Sequence, residues 1–184
     1  MKEFALNRRH FLQQASLLGA GISAGIPLTA HAQPHEERTL RLYNIHTGES
    51  LQTTFWANGA YLDDEIQTID LLMRDHRANQ AIAMQRELYQ RLYELQQLFN
   101  AREPLYIVSA YRSPSTNQRL RQQSSGVAQT SMHIQGKAID VRIPGVSHRH
   151  LHKAALAMHA GGVGYYPKSG YIHLDTGRNR HWIT

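Results

Sequence analysis

The stretch that decides the fold reads Ser131-Met132-His133-Ile134-Gln135-Gly136-Lys137-Ala138-Ile139-Asp140-Val141-Arg142-Ile143. The side chains of residues 137–143 are expected to point alternately to the two faces of a β-strand, so Asp140 shares one face with the small side chain of Ala138. His133 lies in the loop before this strand, and Gly136 supplies a turn that lets the chain reverse. The spacing therefore predicts that His133 comes back toward Asp140, although a polar turn around a hydrogen-bonded aspartate is the alternative for these two residues alone.

A second strand brings a third polar side chain to the same place. Its sequence is Tyr171-Ile172-His173-Leu174-Asp175. The two aliphatic residues predict a core-facing side, which leaves His173 and Asp175 together on the opposite face. His133, Asp140 and His173, with a fourth position left for water, match the open arrangement of a catalytic zinc site. Imidazole and carboxylate ligands also suit other divalent ions, so zinc is the preferred ion and not the only one.

The other segments predict helices and strands in one domain. Apolar spacing and turn residues indicate a hairpin over 38–55, helices over 62–77, 84–100, 116–123 and 147–159, and strands over 105–110, 163–166 and 171–175. No internal repeat and no second domain boundary is visible in the sequence. We therefore expect residues 33–184 to fold as a single domain.

Composition narrows the functions open to this chain. Of its 184 residues, 41% are hydrophobic and 18% are charged, which suits a globular domain and excludes a low-complexity chain. With 0 Cys, disulfide frameworks, iron–sulfur clusters, cysteine nucleophiles and thiolate zinc sites are excluded, so histidine and carboxylate must hold any metal. The net charge is +6, but no basic run interleaved with aromatic residues is present, so no nucleic-acid partner is expected.

Residues 1–32 are predicted to be an export signal. Arg8-Arg9 stands directly before an apolar stretch over residues 17–28, and Ala30-His31-Ala32 offers the small-x-small pattern that signal peptidases accept before Gln33. The arginine pair resembles a twin-arginine signal, and an ordinary secretory signal with a chance arginine pair is the alternative. The apolar stretch is too short to span a bilayer, so no membrane span is expected after removal of the signal; retention as an anchor stays open. Cleavage leaves 17 basic and 13 acidic residues, a net charge of +4.

Several motifs together resemble one family of enzymes. They are Asn44-x-His46-Thr47-Gly48-Glu49-Ser50, Ser109-Ala110-Tyr111-Arg112-Ser113, Ser131-x-His133-x-x-Gly136-x-Ala138-x-Asp140, Gly161-Gly162-Val163-Gly164-Tyr165-Tyr166 and Tyr171-Ile172-His173-Leu174-Asp175-Thr176-Gly177. The chain closely resembles the zinc peptidases of the D-Ala-D-Ala carboxypeptidase and hedgehog-like group, peptidase family M15, and within it a branch of periplasmic murein endopeptidases. The resemblance spans essentially the whole chain, including the leader.

The resemblance implies the fold, the cofactor and the substrate. The fold would be α+β, an antiparallel sheet with packed helices, and His133, Asp140 and His173 would hold one Zn²⁺ ion. The substrate would be peptide cross-links of peptidoglycan in the periplasm, with stem peptides as binding partners. The branch favours links between two diaminopimelate residues, an L,D-endopeptidase activity in cell wall remodelling, with D-Ala–diaminopimelate links as the close alternative. Arg112 would face the substrate and stabilise negative charge on the tetrahedral intermediate, and a structural ion pair is its alternative role.

One departure from the family pattern leaves the general base open. Many relatives carry an acid three residues before the last histidine ligand, and that position here is Gly170. Asp175 is the first candidate for a catalytic role, because from the same strand face it could orient His173, bind metal or activate water. His181 is the second candidate. The missing acid also leaves an alternative function, a wall-binding or signalling module that keeps the fold without catalysis.

Overall fold

The structure is a computed structural model, and it describes residues 36–124, 126–159 and 161–184. The predicted signal over residues 1–32, with its arginine pair and cleavage site, lies outside the described residues. In chain order, the elements are β1 Arg38–Asn44, β2 Ser50–Ala57, β3 Ala60–Tyr61, α1 Asp63–Leu72, α2 Arg86–Leu98, β4 Leu105–Ser109, α3 Pro114–Gln123, a 3₁₀ helix Met132–Gln135, β5 Ala138–Arg142, α4 His148–Ala157, β6 Gly162–Tyr166, β7 Tyr171–Asp175 and β8 Arg180–Ile183.

The strands form one mixed sheet in the order β3-β2-β1-β4-β5-β7-β6-β8. The expected antiparallel pairing holds for most neighbours, but the pairs β1–β4 and β6–β8 are parallel. The first parallel pair arises because the chain crosses over through α1 and α2 before it returns as β4. The second arises because β8 lies beyond β6 instead of returning beside β7. The α+β fold is confirmed, and the sheet is mixed where the family resemblance implied an antiparallel one.

Helices α1, α2 and α4 contact the strands and bury the aliphatic side of the sheet. The core they form with the strands is fully or almost fully buried. Its members include Leu40, Phe55, Ile69, Leu88, Leu92, Leu105, Ile139, Leu151 and Ile172. Because side chains alternate along a strand, the neighbours of Ile139 and Ile172 point to the other face. That face of β5 and β7 carries Asp140 and His173.

The helix ends agree with the sequence pattern except at α1. The other three helices begin and end within two residues of their predicted bounds, whereas α1 ends at Leu72 and not at Arg77. The Asp75 carboxylate accepts the backbone N–H groups of Arg77 and Ala78 at 3.0 and 3.4 Å, a local turn that competes with continued helix. Residues after Leu72 therefore form a loop. None of the described helices combines the length and apolar character that crossing a bilayer requires.

Candidate active site

The register of two antiparallel strands positions the first two polar side chains of the site. Asp140 of β5 faces His173 of β7, and Ala138 faces Asp175 in the same ladder. Residues that pair directly point to one face of the sheet, so the small Ala138 leaves room beside Asp175. His173 Nε2 donates to Asp175 Oδ2 at 3.0 Å. The predicted sharing of one face by His173 and Asp175 is therefore confirmed.

The third side chain enters from the loop before β5. The 3₁₀ helix Met132–Gln135 is capped by Ser131, whose hydroxyl oxygen accepts the backbone N–H of His133. Gly136 ends this helix with a left-handed φ of 66°, and an added Cβ there would lie 3.0 Å from the carbonyl oxygen of Ala83. The predicted reversal at Gly136 is present. It turns the buried His133 imidazole toward Asp140.

Three donor atoms converge as a result. His133 Nε2 lies 3.2 Å from His173 Nδ1 and 3.4 Å from Asp140 Oδ1, while His173 Nδ1 lies 2.9 Å from Asp140 Oδ1. A tetrahedral zinc ion with bonds of 2.0–2.1 Å places neighbouring ligand atoms about 3.3 Å apart. The spacing of the three atoms fits such an ion. This buried group, which the sequence predicted, could therefore hold a metal ion.

A second contact on each imidazole fixes which nitrogen faces the group. His133 Nδ1 lies 2.7 Å from the carbonyl oxygen of Ala110, which only accepts, so Nδ1 carries the proton and Nε2 faces Asp140. His173 has the reverse arrangement, because its Nε2 donates to the Asp175 carboxylate and its Nδ1 faces the group. Metal-binding histidines commonly have such a carbonyl or carboxylate partner, which orients the ring and raises its basicity.

Burial and mutual contact set the charges of the group. Burial lowers the pKa of His133, and Asp140 only partly opposes this effect. Burial alone would raise the pKa of Asp140, but the two imidazoles hold it well below its ordinary value. Burial would also lower the pKa of His173, yet its hydrogen bonds to Asp140 and Asp175 raise that pKa to about 9. The site therefore favours positive charge at the point where the three donor atoms meet.

Both carboxylate oxygens of Asp175 accept hydrogen bonds beneath the site. Its Oδ1 accepts the backbone N–H of Gly177 at 2.8 Å and Nη1 of Arg180 at 3.0 Å. Its Oδ2 accepts Nη2 of Arg180 at 2.6 Å in addition to His173 Nε2. Burial alone would raise the pKa of Asp175, but His173 and Arg180 hold it well below its ordinary value. The side chain is completely buried, so its contacts are with protein groups and not with the groove.

The donor group lies in the wall of a groove of about 590 Å³. Arg112, Tyr171 and Trp182 line this groove together with the three donor residues. Arg112 Nη2 is 4.0 Å from Asp140 Oδ2, too long for a tight ion pair, and its two remaining polar contacts, with Ser109 and Asn117, measure 3.4 and 3.3 Å. The guanidinium therefore lines the groove beside the donor group with only long contacts to other protein groups, and its substrate-facing role stays a prediction.

The two other positions considered for the general base point away from the groove. His181 is exposed on β8, and the alternation of that strand puts it on the face opposite Arg180 and Trp182. At Gly170 the φ of +72° is left-handed, and an added Cβ would lie 3.1 Å from the ring of His148 at the start of α4. The side chain of an acid at position 170 would therefore point toward His148. Neither position brings a base to the donor group.

Sequence reasoning missed the contribution of β8. This strand pairs with β6, placing Trp182 next to Gly164 and Arg180 next to Gly162. An added Cβ on Gly164 would lie 2.6 Å from the Trp182 ring, whose centroid is 5.2 Å from that of His173. The available signal was the alternation of Arg180, His181, Trp182 and Ile183. This alternation, together with Gly162 and Gly164 in β6, would have indicated a further strand whose large side chains pack on those glycines.

Comparison with known proteins assigns the family. Residues 32–182 match the family model described as peptidoglycan L,D-endopeptidase MepK. The chain is 42% identical to the peptidoglycan L,D-endopeptidase MepK of Escherichia coli K12 over 185 aligned positions, covering 99% of this chain and 100% of the relative. It is 40% identical to the probable peptidoglycan L,D-endopeptidase MepK of Haemophilus influenzae, covering 96% and 95%. The chain belongs to the MepK family.

Membership of the MepK family confirms the resemblance found in the motifs. Membership of this family makes the chain a peptidoglycan endopeptidase and thus a hydrolase. It argues against the alternative of a wall-binding or signalling module without catalysis. No solved structure matches the chain.

Proposed function

We propose that this protein is a zinc-dependent L,D-endopeptidase that hydrolyses diaminopimelate–diaminopimelate cross-links, with D-Ala–diaminopimelate links as a second substrate. One observation carries the proposal. His133 Nε2, Asp140 Oδ1 and His173 Nδ1 lie 2.9–3.4 Å from one another in the wall of an open groove. The names of the MepK relatives support the choice of link.

Three residues would hold the zinc ion, and their setting suits a catalytic site. His133, Asp140 and His173 supply two nitrogens and one oxygen, which leaves one tetrahedral position for water or substrate. The ion, when bound, supplies a Lewis acid that polarises the scissile carbonyl and acidifies water. The absence of cysteine from the chain agrees with this ligand set.

Arg112 is proposed to stabilise negative charge that develops on the scissile carbonyl oxygen. A guanidinium is permanently charged and can donate two parallel hydrogen bonds. Its long contacts to Ser109 and Asn117 leave it free to turn toward a substrate oxygen. Such a positive charge, already in place beside the donor group, stabilises negative charge as it develops on the substrate.

Asp175 is proposed to be a positioning residue that acts through His173. Its carboxylate holds the Nε2 proton of His173 and thereby keeps Nδ1 directed at the metal site. The contacts of Asp175 with Arg180 and Gly177 leave it buried, which supports orientation over proton transfer to a water in the groove. Of the three roles that the sequence left open for Asp175, we favour this one.

Cleavage of defined cross-linked dimers tests the function. Purified protein loaded with zinc should open the diaminopimelate–diaminopimelate dimer, with products identified by mass spectrometry, and the D-Ala–diaminopimelate dimer serves as the comparison. A chelator or His133→Ala should abolish cleavage, and added zinc should restore only the chelated wild-type protein. His150→Ala, an exposed histidine on α4, is the matched control. Cleavage that survives both chelation and His133→Ala would defeat the proposal.

We also propose that residues 1–32 direct the protein to the periplasm by the twin-arginine pathway. The arginine pair Arg8-Arg9 before an apolar stretch supports this route, and a peptidoglycan substrate requires export. Replacing both arginines by lysine should leave the precursor in the cytoplasm. Normal appearance of the protein in the periplasm would refute this export route while leaving the enzymatic proposal intact.

A further inference from the structure

Three aromatic side chains line the groove beside the donor group. They are Tyr166 on β6, Tyr171 on β7 and Trp182 on β8, and we refer to them together as the aromatic wall. Each of them is half-buried. The groove that they line measures about 590 Å³, within the range of roughly 300–1,000 Å³ that small-molecule sites occupy. It can therefore take a substrate side chain as well as the scissile amide.

Contacts among its own rings hold the aromatic wall in place. Tyr166 and Tyr171 are partners in the pairing of β6 with β7, and their rings stack with centroids 4.7 Å apart and an angle of 19° between the planes. Trp182 Nε1 donates to the Tyr166 hydroxyl at 3.1 Å. Stacking and this hydrogen bond fix the rings before a substrate arrives, so that binding costs little side-chain entropy.

The aromatic wall adjoins the donor group directly. The centroid of the Trp182 ring lies 5.2 Å from that of His173. Tyr171 precedes His173 by two residues in β7, so both side chains point to the same face of the sheet. A substrate residue whose carbonyl lies at the donor group can therefore place its own side chain against these rings.

The chemistry of the aromatic wall suits an apolar group. Tyrosine and tryptophan carry no formal charge at neutral pH. Among the described residues that line the groove, the charged side chains outside the donor group are Arg112 and Arg180, and Arg180 is paired with Asp175. The loop between α3 and the 3₁₀ helix adds the small apolar side chains of Val127 and Ala128. A methylene chain lying along the rings would be removed from water, which favours binding.

The proposed choice of cross-link requires a feature that distinguishes the residue on the carbonyl side. On the amine side, both link types present the D centre of diaminopimelate. On the carbonyl side, one link presents the L centre of diaminopimelate and the other presents D-Ala. Diaminopimelate carries three methylene groups between its two centres, whereas D-Ala carries a single methyl group. The two links therefore differ in handedness and in the apolar length that the groove can contact.

We infer that the aromatic wall binds the methylene chain of the diaminopimelate that supplies the scissile carbonyl, with Trp182 as the residue that selects for it. This inference rests on the proposed function and names the feature that would give the preferred link. Trp182 has the largest ring of the three and lies next to His173, so its truncation would remove most of the contact.

Substrates that differ only in the carbonyl-side side chain test the inference. Three synthetic links carry diaminopimelate, norleucine or alanine at this position, all with the L configuration and all joined to the same diaminopimelate amine. Norleucine keeps the three methylene groups and lacks the charged end. For the zinc-loaded wild type, kcat/KM on the norleucine link should lie within about 5-fold of that on the diaminopimelate link. On the alanine link it should be about 10- to 50-fold lower, because three methylene groups no longer leave water.

Variants of the two tryptophans in the chain extend this test. Trp182→Ala should lower kcat/KM about 10-fold on the two long-chain links and less than about 3-fold on the alanine link. Because links are compared within one variant, a general loss of activity at the donor group cancels. Trp182→Phe, which keeps a smaller ring, should lie between. Trp56→Phe is the matched control on β2, near the edge of the sheet opposite β8, and should keep the wild-type preference.

Equal cleavage of the norleucine and alanine links by the wild type would overturn the inference. An equal loss on every link in Trp182→Ala would also overturn it, because Trp182 would then only support His173. Titration calorimetry gives a readout without cleavage. Stem tripeptides that end at the carbonyl-side residue should bind the wild type about 5- to 50-fold more tightly with norleucine than with alanine, and Trp182→Ala should largely remove this difference.

The two readouts separate failure of this inference from failure of the proposed function. If the wild type cleaves none of the links, the proposed function fails. A difference in tripeptide binding that depends on Trp182 would still support the aromatic wall. Equal binding of the two tripeptides by the wild type would overturn the inference whether or not cleavage occurs.

Discussion

Arg180 of β8 forms a bidentate ion pair with Asp175 directly beneath the site, with Nη1 3.0 Å from Oδ1 and Nη2 2.6 Å from Oδ2. The same carboxylate holds Nε2 of His173 at 3.0 Å. The C-terminal strand β8 is therefore connected through one buried side chain to a proposed metal ligand. Such a partner behind a ligand orients the ring and raises its basicity.

Asp175→Asn should weaken zinc binding because a neutral amide holds the His173 ring less firmly than a carboxylate does. We expect zinc affinity to fall about 10- to 100-fold, measured by competition with a chelator of known affinity. At saturating zinc, kcat on a cross-linked dimer should recover most of its wild-type value. A large loss of kcat with unchanged zinc affinity would contradict the positioning role and favour Asp175 as the base.

Gly164→Ala should destabilise the C-terminal strand. The added Cβ would lie 2.6 Å from the Trp182 ring, so the indole must move away from the sheet. We expect a loss of about 1–3 kcal/mol in the free energy of unfolding, as for other overpacked sites. Urea denaturation measures this loss, and tryptophan fluorescence of the folded protein should report the displaced ring.

Gly126→Ala is the matched control for this change. The nearest atom to an added Cβ there is Ser124 Oγ at 3.6 Å, an ordinary contact. Its stability should therefore stay within about 0.5 kcal/mol of the wild type. If Gly164→Ala behaves like this control, then β8 does not pack on Gly164 as described.

Local patterns predicted the faces and turns that carry the donor residues, but not the pairing of β5 with β7 that brings His173 beside Asp140. Strand alternation alone placed His173 and Asp175 on one face, and the turn at Gly136 indicated the return of His133 toward Asp140. These features depend on neighbours within about ten residues, where the periodicity of strands and the freedom of glycine act directly. The likeness in the motifs then supplied the role of Arg112, which no local pattern gives.

Non-local contacts decided what the sequence could not predict. Strand β8 is four residues long and pairs in parallel with β6, so its partner is set by packing on Gly162 and Gly164 and not by a hairpin turn. The end of α1 depends on Asp75, whose carboxylate also binds Ser113, 38 residues away.

Gly170→Glu should not supply the missing base. The backbone directs an added Cβ toward His148, at 3.1 Å, and φ is +72°, a conformation that destabilises a residue with a side chain by about 1–2 kcal/mol. We expect lower stability and no increase in kcat on a cross-linked dimer. Gly145→Glu, at φ of +77° with no atom within 4 Å of an added Cβ, separates backbone strain from the contact with His148. A rise in kcat with a new ionisation in its pH profile would contradict the expectation.

Asp75→Asn should make stability less dependent on pH in the acid range. Burial would raise the pKa of Asp75, but hydrogen bonds from Thr116, Ser113 and the loop backbone lower it to about 2. The unfolded chain titrates near the ordinary value of about 3.9, so the ionised form stabilises the fold above that pH, and this stabilisation is lost as the pH falls through 2. At pH 7 the variant should be less stable by about 2 kcal/mol, because charged hydrogen bonds are replaced by weaker ones. Urea denaturation between pH 7 and pH 2 should show the gap between wild type and variant narrowing below pH 4.

Glu103→Gln, an exposed acid in the loop before β4, should show no such gap. A gap that stays constant down to pH 2 would mean that the charge of Asp75 does not stabilise the contact between its own loop and Ser113.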